Sequence, residues 1–473
     1  MRLLILSLAL SLLAGCAQNP VTGQNDFVMM SESQEIAIGR QYNEQVISKQ
    51  YQVYGSKPLQ DYVDRVGQKL AKNSHRPQLQ YHFAVLDSPE INAFALPGGY
   101  VYITRGILAY LNSEAELAAV VGHEIGHVTA RHGVRQQSAA QAANLGLTIA
   151  SIFVPEVSSM GGQNLTNLIG GALLSGYGRE HELEADRLGA QYLARSNYDP
   201  QAIISVLRVL KNQELKDAEL AKEEGREPRR YSGLFSTHPD NDTRLKEVVG
   251  EADNLASAAP FEGRTEFLAA TDGLVFNDNS DQGVVRNNRF YHGELGISVA
   301  FPKGWQVHNL PDALIAVSPQ GETMLQMKMD QKPRGTPADY ARRLAGSGAQ
   351  VRSLDLGGLP AATFELPITM GGVIYQGKYA YILQAQAKVR GGLNKYRNEI
   401  FDTVHSFHSI TAEERKLVKP LTLRVITARQ GDTYAGLARG SPLGKSAESY
   451  LRLINAQYPD GEPQAGQRIK IVE

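Results

Sequence analysis

Two amphipathic helices open the folded part of the chain. From Ser33 to Ser48, and again from Leu59 to Lys72, apolar residues recur at helical spacing with charged residues between them. Two strands follow. Tyr81 to Leu86 alternates between apolar and polar positions, and Tyr100 to Thr104 comes after a Leu-Pro-Gly-Gly turn at 96–99. This part of the chain is therefore predicted to be mainly helical with a small sheet, within an α+β fold.

The pattern changes in the second half of the chain. Residues 253–285 begin with a stretch rich in Ala, Ser, Gly and Pro, which predicts a linker. Residues 286–412 mix alternating strands with a helix near Pro337, so we expect a separate α+β domain there. Residues 418–473 predict a compact unit of strand, helix and strand that closes the chain.

A long stretch from Ala139 to Gly178 is unusually apolar and rich in small residues. Pro155 and Glu156 interrupt its most apolar part after about a dozen residues, whereas a membrane-spanning helix needs about 20. The stretch therefore predicts a flap over a site or a buried helical hairpin rather than a membrane span.

The N-terminus has the features of a secretory signal peptide. A basic start and an apolar run from Leu3 to Leu13 precede small residues and Cys16, the only cysteine of the chain. That run is too short to span a bilayer as a helix. The Leu-Ala-Gly-Cys sequence resembles a bacterial lipobox, so we expect removal of residues 1–15, lipidation of Cys16 and a tether over 16–32. An acidic residue after the cysteine would resemble a signal for retention in the inner membrane. Ala17 stands there instead, which favours the outer membrane. A plain secretory signal with an incidental cysteine is the alternative.

Composition and charge narrow the class of protein. At 473 residues the chain is too long for one ordinary core, so we expect several domains. Lys plus Arg number 48 against 49 for Asp plus Glu, so no overall field attracts nucleic acid or an anionic membrane. We therefore expect no nucleic-acid partner, and membrane contact only through the lipid anchor.

One motif carries metal chemistry. Residues 123–127 read His-Glu-Ile-Gly-His, an H-E-x-x-H pattern on a helix whose start is marked by Ser113 and Glu116. This spacing puts His123 and His127 on one helix face, one turn apart, as two zinc ligands. Glu124 then lies close enough to take a proton from zinc-bound water without itself binding the metal. Two ordinary surface histidines are the alternative.

A catalytic zinc ion usually has three protein ligands and an open fourth position. Downstream, Glu182, Glu184 and Asp186 follow one another on a further helix. Glu182 and Asp186 share a face at i and i+4, whereas Glu184 lies about 200° around the helix from Glu182. Glu182 and Glu184 therefore cannot both face the same metal ion, and Glu184 is the rival of Glu182 as third ligand.

Two segments, 122–132 and 179–189, resemble the paired signatures of the HtpX-like gluzincin metallopeptidases, a family that also contains the CAAX prenyl endopeptidase and envelope proteases of the BepA type. This resemblance implies a zincin-type domain over 33–252, one zinc ion per chain, and Glu182 as its third ligand. It also implies that Asp186 orients a ligand imidazole. Gly178 stands where the family usually has Ser, which leaves the local turn open.

The resemblance implies further roles around the metal. The segment 92–100 is similar to the one that precedes the metal helix in the family, so the strand Tyr100 to Thr104 is either a sheet edge that pairs with substrate or an ordinary internal strand. His238, in a Thr-His-Pro setting, resembles a histidine that can occupy the open zinc position as a switch; a helix-capping or surface role is the alternative. Tyr177 is a candidate oxyanion donor.

Three basic residues near the motifs allow two interpretations. Arg131, His132 and Arg179 could position Asp186 or stabilise an oxyanion. They could equally be solvated charges on a helix face, and for His132 we favour that interpretation.

Residues 418–473 resemble a LysM module, with Gly431-Asp432-Thr433 early and Gly466-Gln467-Arg468 late. That family recognises N-acetylglucosamine-containing glycans, which implies peptidoglycan as a partner; a structural cap is the alternative. We expect the whole chain to be a zinc endopeptidase, an outer-membrane lipoprotein facing the periplasm, which cleaves misfolded or misassembled envelope proteins. A zinc-containing chaperone with a mostly closed site, or a zinc peptidoglycan hydrolase, are the alternatives.

Overall fold

The computed structural model describes residues 16–28, 30–48, 51–139, 177–224, 241–255, 259–310, 313–332, 334–346, 348–388 and 391–473. The chain divides into two compact units, the first from 1–216, 230–274 and 423–473, and the second from 217–229 and 275–422. Most of the apolar stretch predicted as a flap or hairpin lies outside the described residues, as does His238.

The described elements place the chain in the α+β class. The helices are α1 Glu32–Tyr42, α2 Lys57–Lys72, α3 Arg105–Leu108, α4 Glu114–Thr129, α5 Arg179–Arg195, α6 Ala202–Glu224, α7 Asn241–Asn254, α8 Arg264–Thr271, α9 Pro337–Ala345, α10 Gly392–Lys395, α11 Arg397–His405, α12 Ala412–Lys416, α13 Tyr434–Ala438 and α14 Ala447–Ile454. The strands are β1 Cys16–Gln18, β2 Asn25–Phe27, β3 His82–Leu86, β4 Ala93–Leu96, β5 Tyr100–Thr104, β6 Val275–Phe276, β7 Val284–Arg286, β8 Arg289–His292, β9 Ile297–Ala300, β10 Gln306–Leu310, β11 Ala313–Val317, β12 Thr323–Gln331, β13 Gln350–Asp355, β14 Pro360–Leu366, β15 Thr369–Gln376, β16 Tyr379–Ala387, β17 His408–Ser409, β18 Leu421–Thr427 and β19 Arg468–Val472.

The first unit begins with a short hairpin in the segment predicted as a tether. Strands β1 and β2 pair antiparallel, and the Ser31 side chain then caps α1. Helix α2 starts where Ser56 accepts a hydrogen bond from the Leu59 N–H, with a proline in the first turn. Its apolar stripe is buried against α4 and β3, as its amphipathic pattern predicts.

The small sheet of the first unit has the order β3-β5-β4. Strand β5 pairs parallel with β3 on one side and antiparallel with β4 on the other, so Tyr100 to Thr104 is the central strand. The interpretation of this segment as a substrate-pairing edge is therefore wrong, because both of its backbone edges are occupied. Strand β4, which packs beside α4, lies at the edge of this sheet.

Helices α4 and α5 pack closely because small residues face each other. A Cβ atom added to Gly126 would lie 2.9 Å from the carbonyl oxygen of Ala185, and one added to Gly189 would lie 3.1 Å from the backbone nitrogen of His123. Every residue of α4 is buried. The glycines thus let the backbones of α4 and α5 lie close together, so that side chains from the two helices can meet.

The second unit is built on a seven-stranded antiparallel sheet of order β10-β11-β12-β16-β15-β14-β13, with a four-stranded sheet of order β17-β9-β8-β7. Its main core contains Trp305, which lies edge-on to Tyr396, and residues of α11. A smaller core packs α9 against the strand residues Phe364 and Val373. Trp305 is buried in the main core.

Residues 423–473 belong to the first unit. Strand β18 pairs antiparallel with β19 there, and α13 and α14 lie between them in sequence. Lys470 of β19 is fully buried, and its ammonium donates to the carbonyl oxygens of Ala109 and Leu111 at 2.7 and 2.6 Å. The end of the chain is thus packed on the segment that leads into α4.

In the part of the chain that the structure describes, no helix combines the length and apolar character needed to cross a bilayer. The predicted domain boundaries remain predictions.

Candidate metal centre

The metal helix α4 starts at Ser113, whose side chain accepts a hydrogen bond from the backbone N–H of Glu116. The Glu116 carboxylate accepts from the Asn112 N–H, one residue earlier than a capping box requires. From this start, His123 and His127 fall one turn apart. Their Nε2 atoms lie 3.0 Å from each other, so both imidazoles point at the same small volume.

Helix α5 adds the carboxylate of Glu182 to the same volume. Its Oε2 lies 3.5 Å from the Nε2 of His123, and its Oε1 lies 3.5 Å from the Nε2 of His127. The three ligand atoms all fall within 4.8 Å of one another, and all three residues are buried. Two imidazoles and one carboxylate are a donor set that catalytic zinc takes, so these residues fit that ion.

Glu124 follows His123 on the buried helix and is itself only 1% exposed. Burial raises the pKa of Tyr177, and the charge of Glu124 raises it further. As the direct neighbour of His123 on a buried helix, Glu124 is the candidate to exchange a proton with a water molecule bound at the site.

Asp186 lies one turn after Glu182 and contacts His123. Its Oδ1 lies 2.7 Å from the Nδ1 of His123, the nitrogen that points away from the ligand cluster. Burial lowers the pKa of His123, but the Asp186 carboxylate outweighs burial and raises that pKa to about 9. Asp186 thus lies where the resemblance placed it, oriented to hold an imidazole through its second nitrogen.

Arg244 of α7 is a site residue that the sequence analysis missed. Its guanidinium donates to both carboxylate oxygens of Asp186 at 2.7 and 2.8 Å and lies 3.3 Å from Glu182. Burial raises the pKa of Asp186, yet Arg244 and His123 outweigh burial and lower that pKa to about 2. The only sequence signal was its place six residues after His238.

His132 and Glu184 form a second set of contacts behind His127. The Nδ1 atoms of His132 and His127 lie 2.8 Å apart, and the Nε2 of His132 lies 3.0 Å from the Glu184 carboxylate. His132 has no exposed surface, so its interpretation as a solvated helix-face charge is wrong. The hydrogen bond from His132 lowers the pKa of Glu184 to about 2. Glu184 contacts His132 and Arg135 rather than the ligand cluster.

Tyr177, the candidate oxyanion donor, stacks on the imidazole of His127, a candidate ligand. The ring centroids lie 4.1 Å apart at an interplanar angle of 18°. Burial, followed by the charges of Glu124 and Glu182, raises the pKa of Tyr177. Its hydroxyl therefore keeps its proton at neutral pH and can act as a donor.

The remaining candidates lie elsewhere. Arg131 forms a buried ion pair with Glu35 of α1 at 2.8 Å and does not reach Asp186, whose guanidinium partner is Arg244. Arg179 is exposed on the first turn of α5. Cys16 begins β1, and its side chain lies outside the described part of the structure.

Comparison with known proteins places this centre in a family. The sequence pattern of Peptidase family M48 matches residues 58–252, which hold all three candidate ligands. The beta-barrel assembly-enhancing protease of Yersinia pestis is 31% identical over 243 residues, covering 50% of this chain and 47% of that protein. Its counterpart in Escherichia coli (strain K12) is 30% identical over 277 residues, covering 56% and 53%.

A relative that matches over a shorter stretch is the mitochondrial metalloendopeptidase OMA1 of Arabidopsis thaliana, 31% identical over 167 residues, or 34% of this chain and 32% of that protein. The chain spans about half the length of the two bacterial relatives. Over residues 58–252 the chain is thus similar to the metallopeptidases of family M48, and these residues hold the candidate metal centre.

Proposed function

We propose that this protein is a zinc-dependent endopeptidase of the bacterial envelope. The observation that carries the proposal is the convergence of His123 and His127 of α4 with Glu182 of α5. Glu124 is buried next to His123 on α4. The family match and the protease relatives support the same reaction class.

The chain's own residues account for the proton transfers of amide hydrolysis. When bound, zinc would supply a Lewis acid that acidifies water and polarises the scissile carbonyl. Glu124 accepts the proton of the attacking water at its carboxylate and passes it to the nitrogen of the leaving amine. The Tyr177 hydroxyl donates a hydrogen bond to the carbonyl oxygen, on which negative charge develops during attack. His123, His127 and Glu182 would hold the metal ion.

Zinc content and casein cleavage, measured on a form that lacks residues 1–16, test the proposal. We expect about one zinc ion per chain in wild type and in Glu124→Gln, with cleavage lost in the variant because only the proton carrier is removed. Glu182→Ala should lose both zinc and cleavage. A wild type that binds no zinc, or a Glu124→Gln variant that still cleaves at the wild-type rate, would contradict the assignment.

A zinc-containing chaperone is the second candidate function. It rests on the sequence setting of His238, which resembles a histidine able to close the zinc site. Faster casein cleavage by His238→Ala supports the switch within an enzyme. If the protein binds zinc and unfolded substrate but neither the wild type nor His238→Ala cleaves casein, it is a chaperone.

The finer functional assignments come from the sequence and from the names of relatives. The bacterial relatives are named for enhancing beta-barrel assembly, so misfolded or misassembled outer-membrane proteins are the substrate class we propose. The lipobox resemblance supports anchoring through Cys16 to the outer membrane, facing the periplasm. Metabolic labelling with a palmitate analogue tests this: wild type should be labelled and Cys16→Ser should not. The LysM resemblance of residues 418–473 supports binding to peptidoglycan, which co-sedimentation with insoluble sacculi tests.

A further inference from the structure

The two candidate metal-binding imidazoles are held from behind by different groups. The Nδ1 of His123 contacts the Asp186 carboxylate at 2.7 Å. The Nδ1 of His127 instead contacts the Nδ1 of another histidine, His132, at 2.8 Å. An ionised carboxylate can accept hydrogen bonds but cannot donate them. An imidazole nitrogen can donate or accept, according to the tautomer of the ring. The His127 side therefore depends on what fixes the tautomer of His132.

Geometry determines the direction of each hydrogen bond on this side. The Nε2 of His127 faces the ligand cluster, so it must carry a lone pair toward the metal and the proton must sit on Nδ1. His132 must then accept that proton at its own Nδ1. Its remaining N–H, at Nε2, points to the Glu184 carboxylate at 3.0 Å. The hydrogen bonds thus run in one direction, from His127 to His132 to Glu184.

The outer end of this series is fixed by two further ion pairs. Arg135 donates to the same Glu184 oxygen at 3.1 Å, and its Nε lies 3.4 Å from Asp26 in the β1–β2 hairpin. Glu184 is therefore held by Arg135, which is in turn held by Asp26. The carboxylate of Glu184 presents one oxygen to both His132 and Arg135.

Ring stacking fixes the planes of the two imidazoles. His132 stacks on His181 with centroids 4.3 Å apart at 17°, and His127 stacks on Tyr177 at 4.1 Å. His132 is fully buried, so water cannot replace it as the acceptor for His127 without a rearrangement. The contact with His127 is thus made by one side chain in one orientation.

We propose that His132 and Glu184 are positioning residues for the metal centre: Glu184 fixes the tautomer of His132, and His132 in turn fixes the His127 imidazole with its Nε2 free for zinc. The inference rests on the proposed function only in assuming that zinc binds His123, His127 and Glu182. It assigns to Glu184, the rival third ligand in the sequence, a role that involves no bond to the metal.

Zinc affinity is the measurement that tests this role. Zn²⁺ binding is measured on the form lacking residues 1–16 by competition with a chromophoric chelator, for wild type, His132→Leu, His132→Asn and Glu184→Ala. Loss of the partner behind a ligand imidazole typically weakens metal binding about 10–100-fold. We expect a loss in that range for His132→Leu and a smaller one for Glu184→Ala. His132→Asn should recover part of the affinity, because its amide oxygen can accept at the position of the lost Nδ1.

Three controls separate positioning from folding. Glu180→Ala changes an exposed acid one turn earlier on the same helix and should leave zinc affinity unchanged. The double variant His132→Leu/Glu184→Ala should be no weaker than His132→Leu alone, because Glu184 acts through His132. The absorption spectrum of the Co²⁺-loaded protein should change in His132→Leu, as expected for a displaced ligand, while the melting temperature of the metal-free variant stays near that of metal-free wild type.

The outcomes are distinguishable. If wild type binds no Zn²⁺ at all, the proposed function fails. If wild type binds Zn²⁺ and both His132→Leu and Glu184→Ala bind within twofold of it, with an unaltered Co²⁺ spectrum, the positioning role is overturned and the proposed function stands. Should His132→Leu fail to fold, Glu184→Ala and His132→Asn decide the question between them.

Discussion

At the scale of single residues, the charge balance of the centre depends on Arg244. The site buries three carboxylates, those of Glu124, Glu182 and Asp186, and Arg244 lies within 3.3 Å of two of them. Burying an ionised carboxylate without a partner costs free energy. In the absence of a metal ion, the guanidinium of Arg244 offsets much of this cost. Arg244 therefore has a structural role that is separable from the reaction.

Replacing Arg244 by Met should lower the free energy of unfolding of the zinc-free protein by about 3–5 kcal/mol, because a buried ion pair loses one partner. Urea unfolding of the chelator-treated protein measures this. Arg187→Met, an exposed change on α5, is the matched control and should cost little. An Arg244→Met variant as stable as Arg187→Met would contradict this account of the buried charges.

The sequence and the structure agree best where one helix carries the information. The period of α4 places His123 and His127 together, and the period of α5 separates Glu182 from Glu184. Arg244 was missed because its role arises only when α7 packs against α5, which no local pattern encodes. His132 was misjudged for the same reason, since it contacts Glu184 and His181 of α5, a helix distant in sequence.

At the scale of elements, the distance between α4 and α5 is set by residues without side chains. Glycines at 126 and 189 allow the backbones to meet, and the ligands on the two helices then reach a common point. The H-E-x-x-H motif specifies only the first helix, so the contact between the helices is a second requirement for the centre. The strand order of the small sheet was likewise beyond the sequence, because alternation along β5 does not reveal that β3 and β4 flank it.

Gly126→Ala should therefore weaken zinc binding and lower stability by about 1–3 kcal/mol, the usual range for overpacking a core. The added Cβ would lie 2.9 Å from the carbonyl oxygen of Ala185, and a backbone atom can relieve that contact only if α5 moves. Gly250→Ala in α7 is the control, because its Cβ would meet no atom within 4 Å. It should raise stability by up to about 1 kcal/mol. Equal zinc affinities in the two variants would argue against a spacing role for Gly126.

At the scale of the whole molecule, the one tryptophan gives a probe of a single unit. Trp305 lies in the core of the second unit, whereas the candidate ligands all lie in the first. Zinc should bind the folded first unit and not its unfolded state. A free zinc concentration of a thousand times the dissociation constant should then stabilise that unit by about 4 kcal/mol. Chelation should therefore lower the thermal transition seen by far-ultraviolet circular dichroism and leave the Trp305 fluorescence transition in place. A parallel shift of both transitions would show that the units unfold together.

The same probe tests whether the end of the chain is a separate module or part of the peptidase unit. The sequence suggested an independent module, because a strand, helix and strand at the C-terminus carries no mark of what it packs against. The structure places the Lys470 ammonium on the carbonyl oxygens of Ala109 and Leu111, directly before the metal helix. Burial lowers the pKa of Lys470, and the Glu116 carboxylate partly offsets that effect.

Lys470→Met should leave two buried carbonyl oxygens without their donor, at a cost of about 1–3 kcal/mol for each. If residues 423–473 are integral to the first unit, this loss lowers the circular-dichroism transition of the peptidase fold and spares the Trp305 transition. Lys445→Met, an exposed change in the same segment, is the control and should shift neither. A tethered, independently folded module predicts the opposite, namely that Lys470→Met leaves the zinc-dependent transition where it is in wild type.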